Sequence, residues 1–367
     1  MEIGAYTPDL ERSVRAFNQR LRAGGEERWR FPESHEPRFP KQQDRNPYQE
    51  FFLALHAGEV RGGYLLTHNQ FAIRRKIAWV TCGPQVNLSE GIVDPAYSMV
   101  GVILAQDALR RHPLMYALGM GGMDEPLTKL LVAMAWQAFP VPFHFRVVSA
   151  SRFCENISYL RRRPAACVAL DLLRYSGIGS LGFRLAQARP AAFSRGFPAT
   201  RVQEFGPWAD ALWNTCKDAY SFIALRNRDT LNVLYPPGDA RFHRLRIAHA
   251  DRDLGWAVVL DTQMSGHRQF GSMRVGSIVD CLALPENAAA VVRAATRFLE
   301  MQGVDIIVSN QASKAWNKAL ARNGYINGPS NFILALSPEL TKELQPLEEY
   351  EPHIHINRGD GDGPINL

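Results

Sequence analysis

The sequence predicts two tandem α/β domains, each a mixed sheet flanked by helices. Three observations lead there. A chain of 367 residues exceeds the usual span of one hydrophobic core. The second half repeats the apolar pattern of the first at an offset of 190 residues. Each half reads strand, strand, strand, helix, strand, helix, and the crossover helix implies a parallel strand pair within a mixed sheet.

The first half opens with an amphipathic helix in PDLERSVRAFNQRLRAG. FFLALHAGEVRGGYLLT follows as apolar strand, polar turn with glycine, and apolar strand. VNLSEGIV is the third strand and AYSMVGVILAQDALRR the crossover helix. LMYALGMG and EPLTKLLVAMAW supply a further strand and helix. With Pro95 aligned on Pro285, RVGSIVDCLA, ENAAAVVRAATRFLEM, VDIIVSNQ and KAWNKALARNGY take the same places in the second half. HRLRIAHADRDLGWAVVLD repeats the hairpin, and PWADALWNTCKDAYSFIALRNRDTLNVLY supplies the opening helical segment. The expected boundaries are 1–175 and 200–345 for the domains, 176–199 for the linker and 346–367 for a tail.

Composition narrows the class. Apolar residues at 46% and charged residues at 21% describe an ordinary globular chain. No run of about twenty apolar residues marks a membrane span. The N-terminus has no basic region followed by an apolar core, so a cytoplasmic location is expected. Five cysteines, none in a CxxC pair, argue against a zinc site and a disulfide framework. A net charge of +6 suits an anionic small ligand as well as it suits nucleic acid. GxSxG, Walker and HExxH patterns are absent, which excludes the chemistry each supports.

Gly101, at a strand-to-helix junction, raises the possibility of backbone amides aimed at a phosphate. The alternative is an ordinary connection in which the glycine serves helix–sheet packing. Glu90 is a lone carboxylate in an apolar strand, and Asp280 is its repeat partner in SIVDCLAL. Each is either a chemical group in a site or a hydrogen-bonded strand carboxylate. Asn310 follows DIIVS and either binds substrate or starts a turn. Arg28 and Trp29, in RWRF, read as an aromatic-cationic loop or as plain surface. Gly177, Gly179 and Gly182 form a GxGxxG with no βαβ unit around it, and read as linker. In the ending HIHINRGDGDGPINL, Asp360 and Asp362 suit a ligand contact or a solvated tail. The later glutamate of an EF-hand is missing, and no metal is expected.

VDPAYSMVGVILAQDAL, after the strand LSEGIV, is similar to the acyl-CoA-binding motif of the Gcn5-related N-acetyltransferase (GNAT) family. The chain resembles tandem-domain acyltransferases, including Fem-type aminoacyl transferases and N-acyltransferases of bacterial polysaccharide clusters. The resemblance covers 45–150 and, more loosely, 200–340. It implies acyl transfer from a thioester, acyl-CoA, to a primary amine of an amino sugar or amino acid. On that reading Tyr97, Ser98, Met99, Val100, Gly101 and Val102 hold the donor's pyrophosphate, and Glu90 takes the amine proton. Asp280 faces an acceptor cleft, and Arg28, Trp29, Asn310, Asp360 and Asp362 contact the acceptor.

Two departures from the family pattern stand out. The loop reads Ser98-Met-Val-Gly101-Val-Ile103 where the family has Q/R-x-x-G-x-G/A, and Leu131 and Leu320 stand where it often has an acidic tyrosine. An aminoacyl-tRNA donor, and a non-catalytic acyl-CoA-binding scaffold, are therefore the alternatives. Oligomeric state is not indicated.

Overall fold

A computed structural model describes residues 1–42, 45–158, 160–162, 164–175, 182–183 and 197–361. Contacts divide the chain into two units. The first comprises Met1–Pro140 with Ile333–Leu347; the second comprises Val141–Phe332 with Glu348 onward.

In the first unit the hairpin Tyr48–His56 and Glu59–Ile73 turns on Ala57 and Gly58, whose φ values are 53° and 80°. Two successive positive φ values match the right-handed strand twist, which is why a glycine is needed there. Glu2–Ala5 pairs outside Tyr48–His56, and Lys76–Ser89 pairs inside Glu59–Ile73, both antiparallel. The helix Val100–Arg111 then crosses over to the strand Met115–Met120, parallel to Lys76–Ser89. The strand Phe332–Leu336 and then Gln137–Pro140 follow beyond Met115–Met120 in the strand order.

The run FFLAL is apolar throughout because both faces of this sheet are covered. Phe52, Ala54, Tyr64 and Leu66 face a core with Val100, Leu104 and Ala108 of the crossover helix. Phe51 and Leu53 face Val14, Phe17 and Leu21 of the helix Glu11–Ala23. Each such buried side chain contributes about 1.5–3 kcal/mol.

The second unit uses the same strand order. Ala199–Val202, His243–His249, Arg252–Gln263 and Arg274–Ala283 pair antiparallel. The helix Ala288–Met301 crosses over to Ile306–Asn310, parallel to Arg274–Ala283. Phe143–Val147 and Ile326–Gly328 complete the sheet. Gly62 and Gly255 do equivalent work in the two units. A Cβ on Gly62 would meet Leu88 O at 2.8 Å and Val100 at 3.1 Å, and one on Gly255 would meet Leu282 O and Val291 at 2.5 Å. Each glycine lets its crossover helix close onto the sheet.

The units depart from the expected boundaries. The last strand places of each sheet go to segments from both halves of the sequence: Ile333–Leu336 enters the first, and Phe143–Val147 the second. Pro140-Val141-Pro142 has φ fixed near −65° at two of three positions, so it cannot make a two-residue hairpin turn joining its flanking strands side by side. The expected linker falls largely outside the described residues, as do Gly177, Gly179 and Asp362. The tail from Glu348 to 361 belongs to the second unit, and its Ile354–His355 pairs in parallel with Phe222–Ala224. Among the described residues no helix is long and apolar enough to cross a membrane.

Candidate functional site

One of the positive-φ positions of the first unit, Val86, lies on a strand of its parallel pair. Lys76–Ser89 and Met115–Met120 pair at Thr81↔Met115 and Cys82↔Tyr116. Beyond these pairs the first strand runs on to Ser89 and the second to Met120. Along that stretch of the first strand Val86 has φ 48° and the register with Glu59–Ile73 shifts. Positive φ is costly for a β-branched residue, and bulges of this kind re-aim backbone groups beside functional sites.

Two tight turns lead from this strand to the crossover helix. Glu90–Ile92 is the first and Pro95–Tyr97 the second, the latter capped by Asp94 accepting from Ala96 N at 2.9 Å. The first hydrogen bond into the helix runs from Ile103 N to Met99 O at 3.0 Å. The amides of Val100, Gly101 and Val102 therefore lie in the first turn, where a helix has no acceptor of its own to offer. Gly101 is not there for packing: an added Cβ would meet only Ser89 Oγ, at 3.5 Å. The glycine required by packing is Gly91, where a Cβ would sit 2.5 Å from Tyr97 O. Asn87 was not singled out in the sequence. Its Nδ2 donates to Gly101 O at 3.5 Å, and its buried Oδ1 has no hydrogen-bond partner among the described residues.

Glu90 is not the lone strand carboxylate expected. The strand ends at Ser89, and Glu90 is buried between two guanidinium groups. Oε1 accepts from Arg20 Nε at 2.8 Å and Arg61 Nη1 at 3.1 Å; Oε2 accepts from Arg20 Nη2 at 3.1 Å and Arg61 Nη1 at 3.0 Å. A carboxylate has about four acceptor positions, and these bonds use them. A proton-accepting role therefore does not fit this arrangement. Arg61 also lies over the Tyr97 ring at 4.4 Å and pairs with Glu59. Glu90 thus links the helix Glu11–Ala23 and the strand Glu59–Ile73, and Arg61 carries the link on to the turn Pro95–Tyr97.

Arg28 and Trp29 form a surface turn. Both backbone amides donate to Glu26 Oε1, at 2.6 and 3.0 Å, and the Arg28 guanidinium lies 5.0 Å from the Trp29 ring centroid. Trp29 is 53% exposed.

In the second unit the structure brings three predicted residues together, in a packed interior. Asp280 is 1% exposed. Its Oδ1 accepts from Arg226 Nε at 3.0 Å, Asn357 Nδ2 at 2.8 Å and Cys281 N at 2.8 Å; its Oδ2 accepts from the Tyr235 hydroxyl at 2.8 Å. Arg226 Nη2 donates to both oxygens of Asp360 at 2.8 Å. Burial raises Asp360 to about 6, against the lowering effect of Arg226. Asn357 and Asp360 cap each other around a tight turn, and Asn310 Oδ1 accepts from Arg358 Nε at 2.9 Å. A Cβ on Gly359 would collide with the Tyr235 hydroxyl. Asp280 therefore faces a closed ion network that seats the tail, not a cleft as expected. Arg226 could have been suspected from the sequence, because a lone charge inside SFIALR needs a partner. Leu131 and Leu320 are buried in the apolar cores of their units.

Comparison with solved structures matches this fold to N-acyltransferases. Saccharomyces cerevisiae N-myristoyltransferase with bound myristoyl-CoA superposes with TM-score 0.53 at 8% identity, over 92% of this chain and 78% of that one. A probable N-acyltransferase from Enterococcus faecalis gives 0.52 at 13% identity, over 94% and 74%. A GCN5-related N-acetyltransferase from Anabaena variabilis gives 0.51 at 9%, over 91% and 72%. No family model and no curated protein sequence matches the chain. The likeness is one of fold: two GNAT-like domains, each a mixed sheet flanked by helices.

Proposed function

We propose that this protein is an N-acyltransferase whose first unit binds an acyl thioester, acyl-CoA, and passes the acyl group to a primary amine of an amino sugar or amino acid. The observation that carries the reading is Gly101, a glycine in the first turn of the crossover helix that no neighbouring group requires. Bare backbone there lets a pyrophosphate approach the amides of Val100, Gly101 and Val102, with the helix dipole favouring its charge. Tyr97, Ser98 and Met99 form the approach to that turn. Asn87 Oδ1, buried and without a hydrogen-bond partner among the described residues, offers an acceptor to the donor. The solved likeness that holds myristoyl-CoA supports a thioester donor.

In the reaction the amine nitrogen attacks the thioester carbonyl carbon. A carbon–nitrogen bond forms, the carbon–sulfur bond breaks, and the proton shed by the nitrogen balances the one taken up by the departing thiolate. A backbone amide of the strand Lys76–Ser89 would stabilise the oxyanion. Glu90 holds the donor turn in place through Arg61 and Tyr97.

Calorimetric titration with acetyl-CoA and longer acyl-CoAs, followed by thiol release with amino sugars and amino acids, tests this. Saturable binding that weakens in Gly101→Val is expected. Absence of binding, or binding indifferent to that substitution, would sink the proposal.

An aminoacyl-tRNA donor is the second reading, favoured by the net charge of +6. It requires tRNA binding that falls steeply as salt rises. Acyl-CoA binding without turnover of any amine would point to the scaffold role instead.

A further inference from the structure

We propose that Glu50, His68 and His112 of the first unit form a binding site for a divalent transition cation, with Zn(II) the best fit. One ligand atom from each lies within 4.8 Å of the other two. Two imidazoles and a carboxylate are a donor set suited to zinc, with a fourth position left for water. The three residues lie far apart in the sequence and form no motif, so the sequence carried an expectation of no metal.

The sheet explains how they meet. Tyr48 stands opposite His68, and His68 opposite Thr81, so these three form one row across three strands. Glu50 is two residues from Tyr48 and thus lies diagonally beside His68 on the same face. His112 follows directly after the helix Val100–Arg111, which places it at the end of a helix that favours a cation.

His68 is buried, and its ring is fixed from two sides. Tyr48 stacks on it at a centroid distance of 4.5 Å, and its Nδ1 lies 3.0 Å from Thr81 Oγ1. In the tautomer that gives Nδ1–H to the threonine, Nε2 presents a lone pair. That Nε2 lies 2.9 Å from Glu50 Oε2, yet it makes no hydrogen bond in the geometry found. Either a proton on Nε2 or a cation bound beside both atoms satisfies this pair. Lys41 Nζ holds the other oxygen, Oε1, at 3.2 Å, leaving Oε2 directed to the site. The His112 ring lies 4.5 Å from that of His68 and closes the third side.

Protein freed of metal by chelation and dialysis, and carrying no histidine tag, should be titrated with Zn(II) by calorimetry and with Co(II) by visible absorption. One ion per chain, with the intense absorption of four-coordinate Co(II) and a rise in Tm with Zn(II), is expected. Glu50→Gln and His112→Asn should each weaken binding at least ~10-fold, and Thr81→Val, which frees the His68 ring, by about 10-fold. His249→Asn, at an exposed site elsewhere, should bind as the parent does. His112→Asn alters only a helix end, so it remains informative if the strand variants fail to fold. A plain His68–Glu50 ion pair would give no stoichiometric uptake and a Tm indifferent to Zn(II), and either result overturns the site. Uptake unchanged in His112→Asn overturns it as well.

Discussion

Asp280 and Asp360 meet the same guanidinium: Arg226 gives Nε to one at 3.0 Å and Nη2 to both oxygens of the other at 2.8 Å. Two carboxylates share this one fully buried cation. Tyr235 and Asn357 also donate to Asp280. Replacing Arg226 with Met would strand both carboxylates. Loss of a partner from a buried ion network costs about 3–5 kcal/mol. Urea unfolding should register that loss, and a cost below about 1 kcal/mol would show that the network relaxes or hydrates.

The same cluster gives stability a pH dependence. Burial holds Asp360 at about 6, above the value near 3.9 of an unfolded aspartate. The native state therefore binds this proton more tightly than the unfolded state. The stability so gained is full below about pH 4 and is lost as pH rises through about 6. Asp360→Asn removes the titration. The stability of the parent minus that of the variant should fall by about 2–3 kcal/mol between pH 4 and 6.5, then level off. A difference flat across that window would exclude the raised carboxyl.

Gly101→Ala separates a binding glycine from a packing glycine. Its Cβ meets only Ser89 Oγ at ordinary contact distance, and alanine favours the helix by up to about 1 kcal/mol. Tm should hold or rise while acyl-CoA affinity falls several-fold. Retained affinity would remove Gly101 from the donor site.

Gly91→Ala should behave in the opposite way. Its Cβ would press on the Tyr97 carbonyl, a backbone atom that cannot swing aside. A cost of about 1–3 kcal/mol is expected, the range for overpacking. An unchanged Tm would mean that the two turns are loosely joined.

Glu90→Gln tests the role of the carboxylate. Both Arg20 and Arg61 lose a charged partner, and a destabilisation of about 1–3 kcal/mol is expected. The pH profile of acyl transfer should keep its acid limb. Disappearance of that limb with donor affinity retained would restore Glu90 as the base.

Short-range features were legible in the sequence. The spacing of Val100, Leu104 and Ala108 marks one buried helix face, and HAGE announces the hairpin turn. The repeated strand and helix order follows from such local periods. The ion networks were not legible, because pairing depends on chain separation: Glu90 finds Arg20 and Arg61, and Asp280 finds Arg226 and Asn357, only after the sheets form. A carboxylate in an apolar run signals that a partner exists without saying which. Gly101 was legible as a glycine, but the empty space around it was not. His68 and His112 gave no sign at all, because a diagonal across strands and a helix end have no fixed spacing in sequence.

Synthesis of this chain has an order its folding cannot follow. The sheet begun by the first hundred residues includes Ile333–Leu336, a segment the ribosome delivers more than two hundred residues later. Until then the early sheet lacks a neighbouring strand, and such open margins invite pairing with other chains. Residues 1–175 expressed alone should be insoluble or molten, and supplying the remainder as a separate chain should recover both halves together.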